Sequence, residues 1–237
     1  MGTGTEKRSV GELADRAVRI RIDGVELDAD LRIPHHPRGV VIFAHGSGGG
    51  RRSPGSRLVA EELEQSGFAT LLVDLLTREE QRHDERTGSL RFDIALLASR
   101  LGSVSDWAIH EAKLWSLPVG YYGASTEAAA AIVAAVRRPG VVRAIVSRGG
   151  RPDLAPNALA KVHCPTLLMV GAEDARILRL NEEALGKLGG RGTLSVVPHA
   201  THLFEEPGAL ERVAILTQHW FDQYLVHRPR PASQEAW

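Results

Sequence analysis

A serine stands at the apex of a small-residue turn in Val119-Gly120-Tyr121-Tyr122-Gly123-Ala124-Ser125-Thr126-Glu127-Ala128-Ala129. An apolar run leads into it and an alanine-rich run follows at once. That is the strand–turn–helix layout in which a Gly-x-Ser-x-Gly turn lifts a serine oxygen clear of a sheet. The next backbone N–H, that of Thr126, then falls at a helix N-terminus, where it can stabilise a developing oxyanion. A serine hydroxyl is a weak nucleophile and needs a base, itself oriented by an acid. Downstream, the apolar run Thr166–Val170 ends in Gly171-Ala172-Glu173-Asp174, with Asp174 the better candidate acid and Glu173 the reserve. The run Thr193–Val197 leads into Pro198-His199-Ala200-Thr201-His202, with His202 the candidate base and His199 its competitor. Taken singly, Asp174 reads as a helix cap and His202 as a packing histidine. Together they stand in the order serine, acid, histidine, each just past a predicted strand, and this predicts a catalytic triad of Ser125, Asp174 and His202.

Other residues near these positions have chemical potential. His45-Gly46-Ser47-Gly48 follows another apolar run and predicts the second oxyanion donor, the backbone N–H of Ser47. His45 itself is read as bracing that loop. Glu127 occupies the position two after the serine, where a small residue is usual, and is a candidate for reshaping the site. Arg148 and Arg151 flank a double glycine after the strand Val141–Val146 and could pair with a substrate carboxylate or phosphate. Salt bridges with acids such as Asp153 are the competing reading, and Arg51 and Arg52 invite the same one. Cys164, in His163-Cys164-Pro165, precedes a strand and reads as a packed thiol.

These residues require a particular scaffold. Residues Ala17–Ile33 alternate apolar and polar around Asp23-Gly24, predicting an antiparallel hairpin. Val40–Ala44 is apolar throughout, as in a strand buried on both faces. From there helices and strands alternate: a helix over Ser56–Gln65, a strand over Ala69–Val73, a helix over Leu90–Ile109 and a strand over Leu117–Tyr122. Further helices are predicted over Thr126–Val136, near Leu178–Leu188 and over Leu210–Leu225. The charged stretch Thr77–Gly88 reads as a surface excursion. This alternation predicts an α/β fold with a mostly parallel sheet covered by helices on both faces. Its ligands would bind at the carboxyl ends of the strands. The chain divides into an N-terminal extension (1–16), one α/β domain (17–226) and a disordered tail (227–237), without repeats or a second domain.

Composition narrows the partners. Lys plus Arg equals Asp plus Glu, at 29 each, so no net field selects nucleic acid or an anionic membrane. Apolar residues at 43% and charged residues at 24% are ordinary globular usage. One cysteine rules out an intramolecular disulfide framework. No apolar stretch approaches the roughly 20 residues of a membrane span. The first 16 residues lack the apolar run of a signal peptide, and Glu6 breaks the myristoylation pattern begun by Gly2. A cytoplasmic location is expected. The histidines, including His35-His36, show no metal-ligand spacing.

The sequence resembles the dienelactone hydrolase-like branch of the α/β-hydrolase superfamily. The resemblance rests on Phe43-Ala44-His45-Gly46-Ser47-Gly48, Asp74-Leu75-Leu76-Thr77, Leu90-Arg91-Phe92-Asp93 and Gly123-Ala124-Ser125-Thr126. It extends to residues 146–154 and to Thr201-His202-Leu203-Phe204-Glu205-Glu206-Pro207-Gly208. It implies hydrolysis of small carboxylic esters or lactones with no metal or organic cofactor. Dienelactone hydrolases proper use a cysteine nucleophile, where this chain has Ser125, as esterase-like relatives do. Glu127 is the second departure. A non-catalytic binding protein on this fold, and amide hydrolysis or acyl transfer on the same triad, are the rival expectations.

Overall fold

The computed structural model describes residues 14–46, 50–111 and 114–226. Strands β1 (Ala14–Ile22) and β2 (Val25–Ile33) form the expected hairpin. Asp23 and Gly24 both take positive φ, 49° and 79°, the geometry that matches a two-residue turn to the twist of its strands. β1 begins three residues earlier than the alternation indicates, because Ala14 to Arg16 continue the antiparallel pairing with Leu31 to Ile33. That pairing carries the strand into the segment read as an extension. Residues 1–13 and the tail at 227–237 lie outside the described residues.

The remaining strands are β3 (Val40–His45), β4 (Ala69–Asp74), β5 (Val119–Ala124), β6 (Val142–Arg148), β7 (Thr166–Gly171) and β8 (Gly192–Val197). They order as β1-β2-β4-β3-β5-β6-β7-β8, with β2 antiparallel to β4 and the rest parallel from β4 onward. This is the α/β-hydrolase architecture expected, with helices on both faces of the sheet. Alternate residues of β3 explain the two layers. Val40, Ile42 and Ala44 enter one core, and Val41 and Phe43 the other. The first core is closed by α3 (Ile94–His110), α4 (Thr126–Arg137), the short α5 (Pro156–Leu159) and α6 (Ala175–Lys187). The second is closed by α1 (Pro54–Gln65) and α7 (Ala209–Tyr224), through Val59, Leu63, Val213 and Phe221.

The stretch read as a surface excursion contains a helix, α2 (Arg78–Thr87). Its charge hides it from hydrophobic periodicity, but its ends carry sequence signals. The Thr77 side chain accepts from the Glu80 amide and the Glu80 carboxylate accepts from the Thr77 amide, a reciprocal capping box. Gly88 ends it in the left-handed conformation. Asp84 then ties the helix to the next segment: its carboxylate accepts from the Leu90 and Arg91 amides at 2.7 and 2.9 Å and from Arg91 Nε at 2.8 Å. That segment is a 3-10 turn at Leu90–Phe92, so α3 starts at Ile94, capped by Asp93, rather than at Leu90.

The buried Asp84 carboxylate is the link most easily tested. Asp84→Ala strands two backbone N–H groups and a guanidinium and is expected to lower unfolding stability by about 3 kcal/mol. A lower urea midpoint at unchanged m-value is the measurement.

Candidate active site

The elbow begins with the backbone of Ser125. It has φ 51° and ψ −123°, a conformation that costs a non-glycine residue about 1–3 kcal/mol and so must be held by its surroundings. Two backbone hydrogen bonds to the end of β6 and beyond hold it: the Ser125 N–H donates to the Arg148 carbonyl at 3.3 Å, and the Arg151 N–H donates to the Ser125 carbonyl at 2.9 Å. Thr126 follows as the first residue of α4, buried, and its amide has no intrahelical acceptor. The serine is therefore presented at a helix N-terminus with an N–H beside it, as the sequence predicts. The Ser47 amide, the other expected oxyanion donor, lies outside the described residues.

Asp174 and His202 meet. His202 Nδ1 lies 2.7 Å from Asp174 Oδ2, while Asp174 Oδ1 accepts from the Ile177 amide at 3.3 Å. Asp174 thus caps α6 with one oxygen and meets the His202 ring with the other. The loop carrying His202 is pinned to the end of β7. Glu173 N–H donates to the Ala200 carbonyl and Ala172 N–H to the Val197 carbonyl, both at 2.9 Å. Gly171 permits that approach, since a Cβ there would sit 2.2 Å from the Ala200 oxygen. Glu173 and His199, the reserve candidates, are exposed, and neither takes part in the Asp174–His202 contact. The His202 ring rests against Gly149, with Cε1 at 3.4 Å from where a Cβ would stand. Gly149 follows the residue whose carbonyl holds the Ser125 amide, so the histidine lies beside the elbow. Ser125 and His202 make no direct hydrogen bond with each other.

The flanking charges sort differently. Glu127 is buried and turns to the loop after β3, where Oε1 accepts the Gly46 N–H at 2.9 Å. Its carboxylate couples the elbow helix to the oxyanion-side loop. Arg151 pairs with Asp153 through two contacts of 2.8 and 2.7 Å, the competing reading for that residue. Arg51 binds Asp74 and Asp30, and Arg57 binds Asp30. Arg148 forms no ion pair among the described residues; its guanidinium carbon stands 5.8 Å from the centre of the Phe204 ring. His45 departs from its expected role. Among the described residues its side chain forms no hydrogen bond that could brace the loop, and Nε2 is buried without a partner there. Burial, with the nearby charges of Arg148, Arg57 and Arg51, pushes its pKa down to about 3. Cys164 is buried and its thiol is pushed up to about 11 by that burial, which suits packing and not nucleophilic attack.

A polar cleft of about 480 Å³ includes Gly46 and is lined by Arg51, Asp74, Arg78, Gln81, Asp84 and Arg91 among others. None of the triad residues lines it. Among the described residues no group of three His, Cys, Asp or Glu side chains could hold a metal ion, and no helix is long and apolar enough to cross a membrane.

Comparison with known proteins places this geometry. The model of the dienelactone hydrolase family matches residues 27–224. A crystal structure of a dienelactone hydrolase from Anabaena variabilis is 54% identical, covers 90% of this chain and 99% of its own, and superposes with a TM-score of 0.87. Est1E from Butyrivibrio proteoclasticus, at 16% identity, 87% and 98% coverage and a TM-score of 0.74, shares the fold. Mycobacterium tuberculosis proteins provisionally named as phosphoribosyl transferases are 52% identical over 213 residues, which are 90% of this chain and 47% of theirs. The chain thus spans about half the length of the curated relatives it matches.

Two consequences are measurable without a substrate. Glu127→Ala leaves the buried Gly46 N–H without its acceptor and is expected to lower stability by about 1–3 kcal/mol, with a smaller loss in Glu127→Gln, by urea denaturation. His45 stays neutral in the folded protein to about pH 3 but takes up a proton near pH 6.5 when unfolded. Its contribution is therefore complete above about pH 6.5 and declines as pH falls, by up to about 1.4 kcal/mol per pH unit. Melting temperatures between about pH 4.5 and 7 should fall less steeply toward acid in His45→Asn than in the wild type.

Proposed function

The chain belongs to the dienelactone hydrolase family, and on that premise we propose that it is a serine hydrolase cleaving small carboxylic esters or lactones through an acyl-enzyme on Ser125. The observation that carries the reading is the 2.7 Å contact between His202 Nδ1 and Asp174 Oδ2 beside a serine in a strained elbow. With Asp174 accepting the Nδ1 proton, the tautomer leaves His202 Nε2 as a base. Nε2 takes the Ser125 proton as Oγ attacks the ester carbonyl. The Thr126 amide at the start of α4, with a second amide from the loop after β3, holds the charge that forms on oxygen. His202 then returns the proton to the leaving alcohol. In the second half, water attacks the acyl-enzyme with His202 again as base, restoring the serine.

The reading needs no metal or organic cofactor and takes a small-molecule partner. Ser125 stands where the family's namesake enzymes carry a cysteine, and the chain's own cysteine is remote, on the segment leading into β7, with its thiol held protonated by burial. The phosphoribosyl transferase name belongs to proteins about twice as long. The half that this chain matches carries the hydrolase family's fold, so the reading rests on the site and not on that name.

The test pairs turnover with labelling. Purified protein is expected to hydrolyse short p-nitrophenyl esters and to react with a fluorophosphonate probe at Ser125. Ser125→Ala should lose both, with kcat down by roughly a thousandfold or more, and His202→Ala should follow it. Wild-type protein that neither labels nor turns over would overturn the reading and leave a binding protein on a hydrolase fold.

A further inference from the structure

The buried stripe of α6 is Ile177, Asn181 and Ala184, and its middle residue is an amide with no exposure to solvent. An apolar residue is usual in such a stripe; asparagine is a poor helix former, and a buried amide costs stability unless its polar atoms are bonded. Asn181 spans two elements. Its Nδ2 donates to the Ile177 carbonyl at 2.8 Å, one turn back in its own helix, and to the Gly150 carbonyl at 3.0 Å, outside it. Both neighbours are acceptors, so the amide must present its NH2 to them. Its Oδ1 is then left buried with no hydrogen-bond partner among the described residues. The bond within the helix does not require an amide. Ser105 and Thr217 make the same one with a hydroxyl, donating to the Leu101 and Val213 carbonyls at 2.8 and 2.7 Å. What an amide adds at this position is the reach to Gly150.

Gly150 lies in the turn on which the elbow depends. Arg148, on one side of it, accepts the Ser125 N–H, and Arg151, on the other, donates to the Ser125 carbonyl. Gly149 donates to the Met169 carbonyl of β7 at 2.8 Å, and the His202 ring rests on it. Gly150 has no room for a side chain of its own: a Cβ would stand 2.0 Å from Ser147 Oγ and 2.7 Å from the Ala128 Cβ. Its carbonyl receives no backbone N–H among the described residues, so Asn181 supplies the donor that this buried acceptor needs. The other end of the link returns to Asp174. Ile177, whose carbonyl Asn181 holds, gives its own N–H to Asp174 Oδ1. One side chain therefore ties the helix that Asp174 caps to the turn that grips Ser125.

We propose that Asn181 is a positioning residue for ester hydrolysis, setting the alignment of Ser125 with His202 by holding the 148–151 turn against α6. This rests on the hydrolase reading above. Asn181 acts through other residues: through Arg148 and Arg151 on the Ser125 backbone, and through Gly149 on the His202 ring. The positive φ of Ser125 persists only while its surroundings hold it, so a loosened turn lets the serine drift from the attacking position. A misplacement on the order of 1 Å costs about a hundredfold in rate without any change in the reacting groups.

The test uses two variants. Asn181→Thr keeps a hydroxyl for the Ile177 carbonyl, as Thr217 does for Val213, but is too short for Gly150; Asn181→Leu loses both bonds. Labelling by a fluorophosphonate probe is followed to completion, so that its end point counts competent sites and its rate constant reports on each one. Both variants are expected to label nearly every chain. Their labelling rate, and kcat for p-nitrophenyl butyrate per labelled site, should fall about tenfold or more, with KM changed by less than about twofold. Loss of folded protein alone would lower the end point and leave the per-site rate at the wild-type value. That result, or a wild-type per-site rate in Asn181→Thr, overturns the proposal. Thr70→Val, which removes a buried hydroxyl bond to Glu64 near the start of β4, should keep the wild-type per-site rate; an equal fall there would also overturn it. Should Asn181→Leu fail to fold, Asn181→Thr decides. Wild-type protein that neither labels nor turns over sinks the hydrolase reading and this proposal with it, whereas active wild type with unchanged variants sinks this proposal alone.

Discussion

The backbone of Ser125 is the constraint from which the rest of the site follows. A φ of 51° in a residue with a Cβ is unfavourable, and it persists only because the Arg148 carbonyl and the Arg151 amide grip the residue from both sides. Those two contacts come from the end of β6 and the turn beyond it, so the parallel register of β5 with β6 fixes the orientation of Ser125. The same turn of chain reverses direction at Ser125 and starts α4 at Thr126. The helix then lies so close to β5 that a side chain at Gly123 would meet the Glu127 carbonyl at 2.7 Å. Strain in one residue is thus repaid by packing over a strand, a turn and a helix.

Asp174 and His202, the proposed acid and base, are positioned by a second, smaller device. Asp174 divides its oxygens between the first turn of α6 and the imidazole of His202. A carboxylate that caps a helix has little rotational freedom, and here that stiffness orients the ring. The close approach of the Ala200 carbonyl to Gly171 brings the histidine loop within reach. The cap and the Asp174–His202 contact are therefore one arrangement. Replacing Asp174 would alter helix and ring together, which is why pairwise losses at such a site do not add.

Much of this was legible in the residues. Strand ends mark the sheet rim, and Ser125, Asp174 and His202 each follow an apolar run, so order and spacing sufficed to bring them forward. The buried strands were visible as continuous apolar stretches and the hairpin as an alternation around Asp23-Gly24. Helix α2 was missed because ten residues with almost no apolar content give no period to read, although Thr77 and Glu80 carry the capping signal. The choice between His202 and His199 was not derivable from sequence: only the folded loop shows that the His202 ring is the one that contacts Asp174. The orphaned state of His45 and the unpartnered state of Arg148 were beyond reach, since the lack of a partner is a property of three-dimensional surroundings. Pairing of Arg151 with Asp153 was within reach, being two residues apart.

Glu127 sharpens the reading of the oxyanion side. A carboxylate close to a forming oxyanion would oppose it, yet this one is directed at the Gly46 amide and buried there. One of its oxygens accepts from a backbone donor. The contact also removes the Gly46 N–H from the supply of oxyanion donors. On the hydrolase reading, the second donor must then come from further along the loop, which is where the sequence points with Ser47. The glutamate that departs from the usual small residue is, in this arrangement, what ties Gly46 to the elbow helix. It links α4, which begins with Thr126, to Gly46 at the end of β3 through a single side chain.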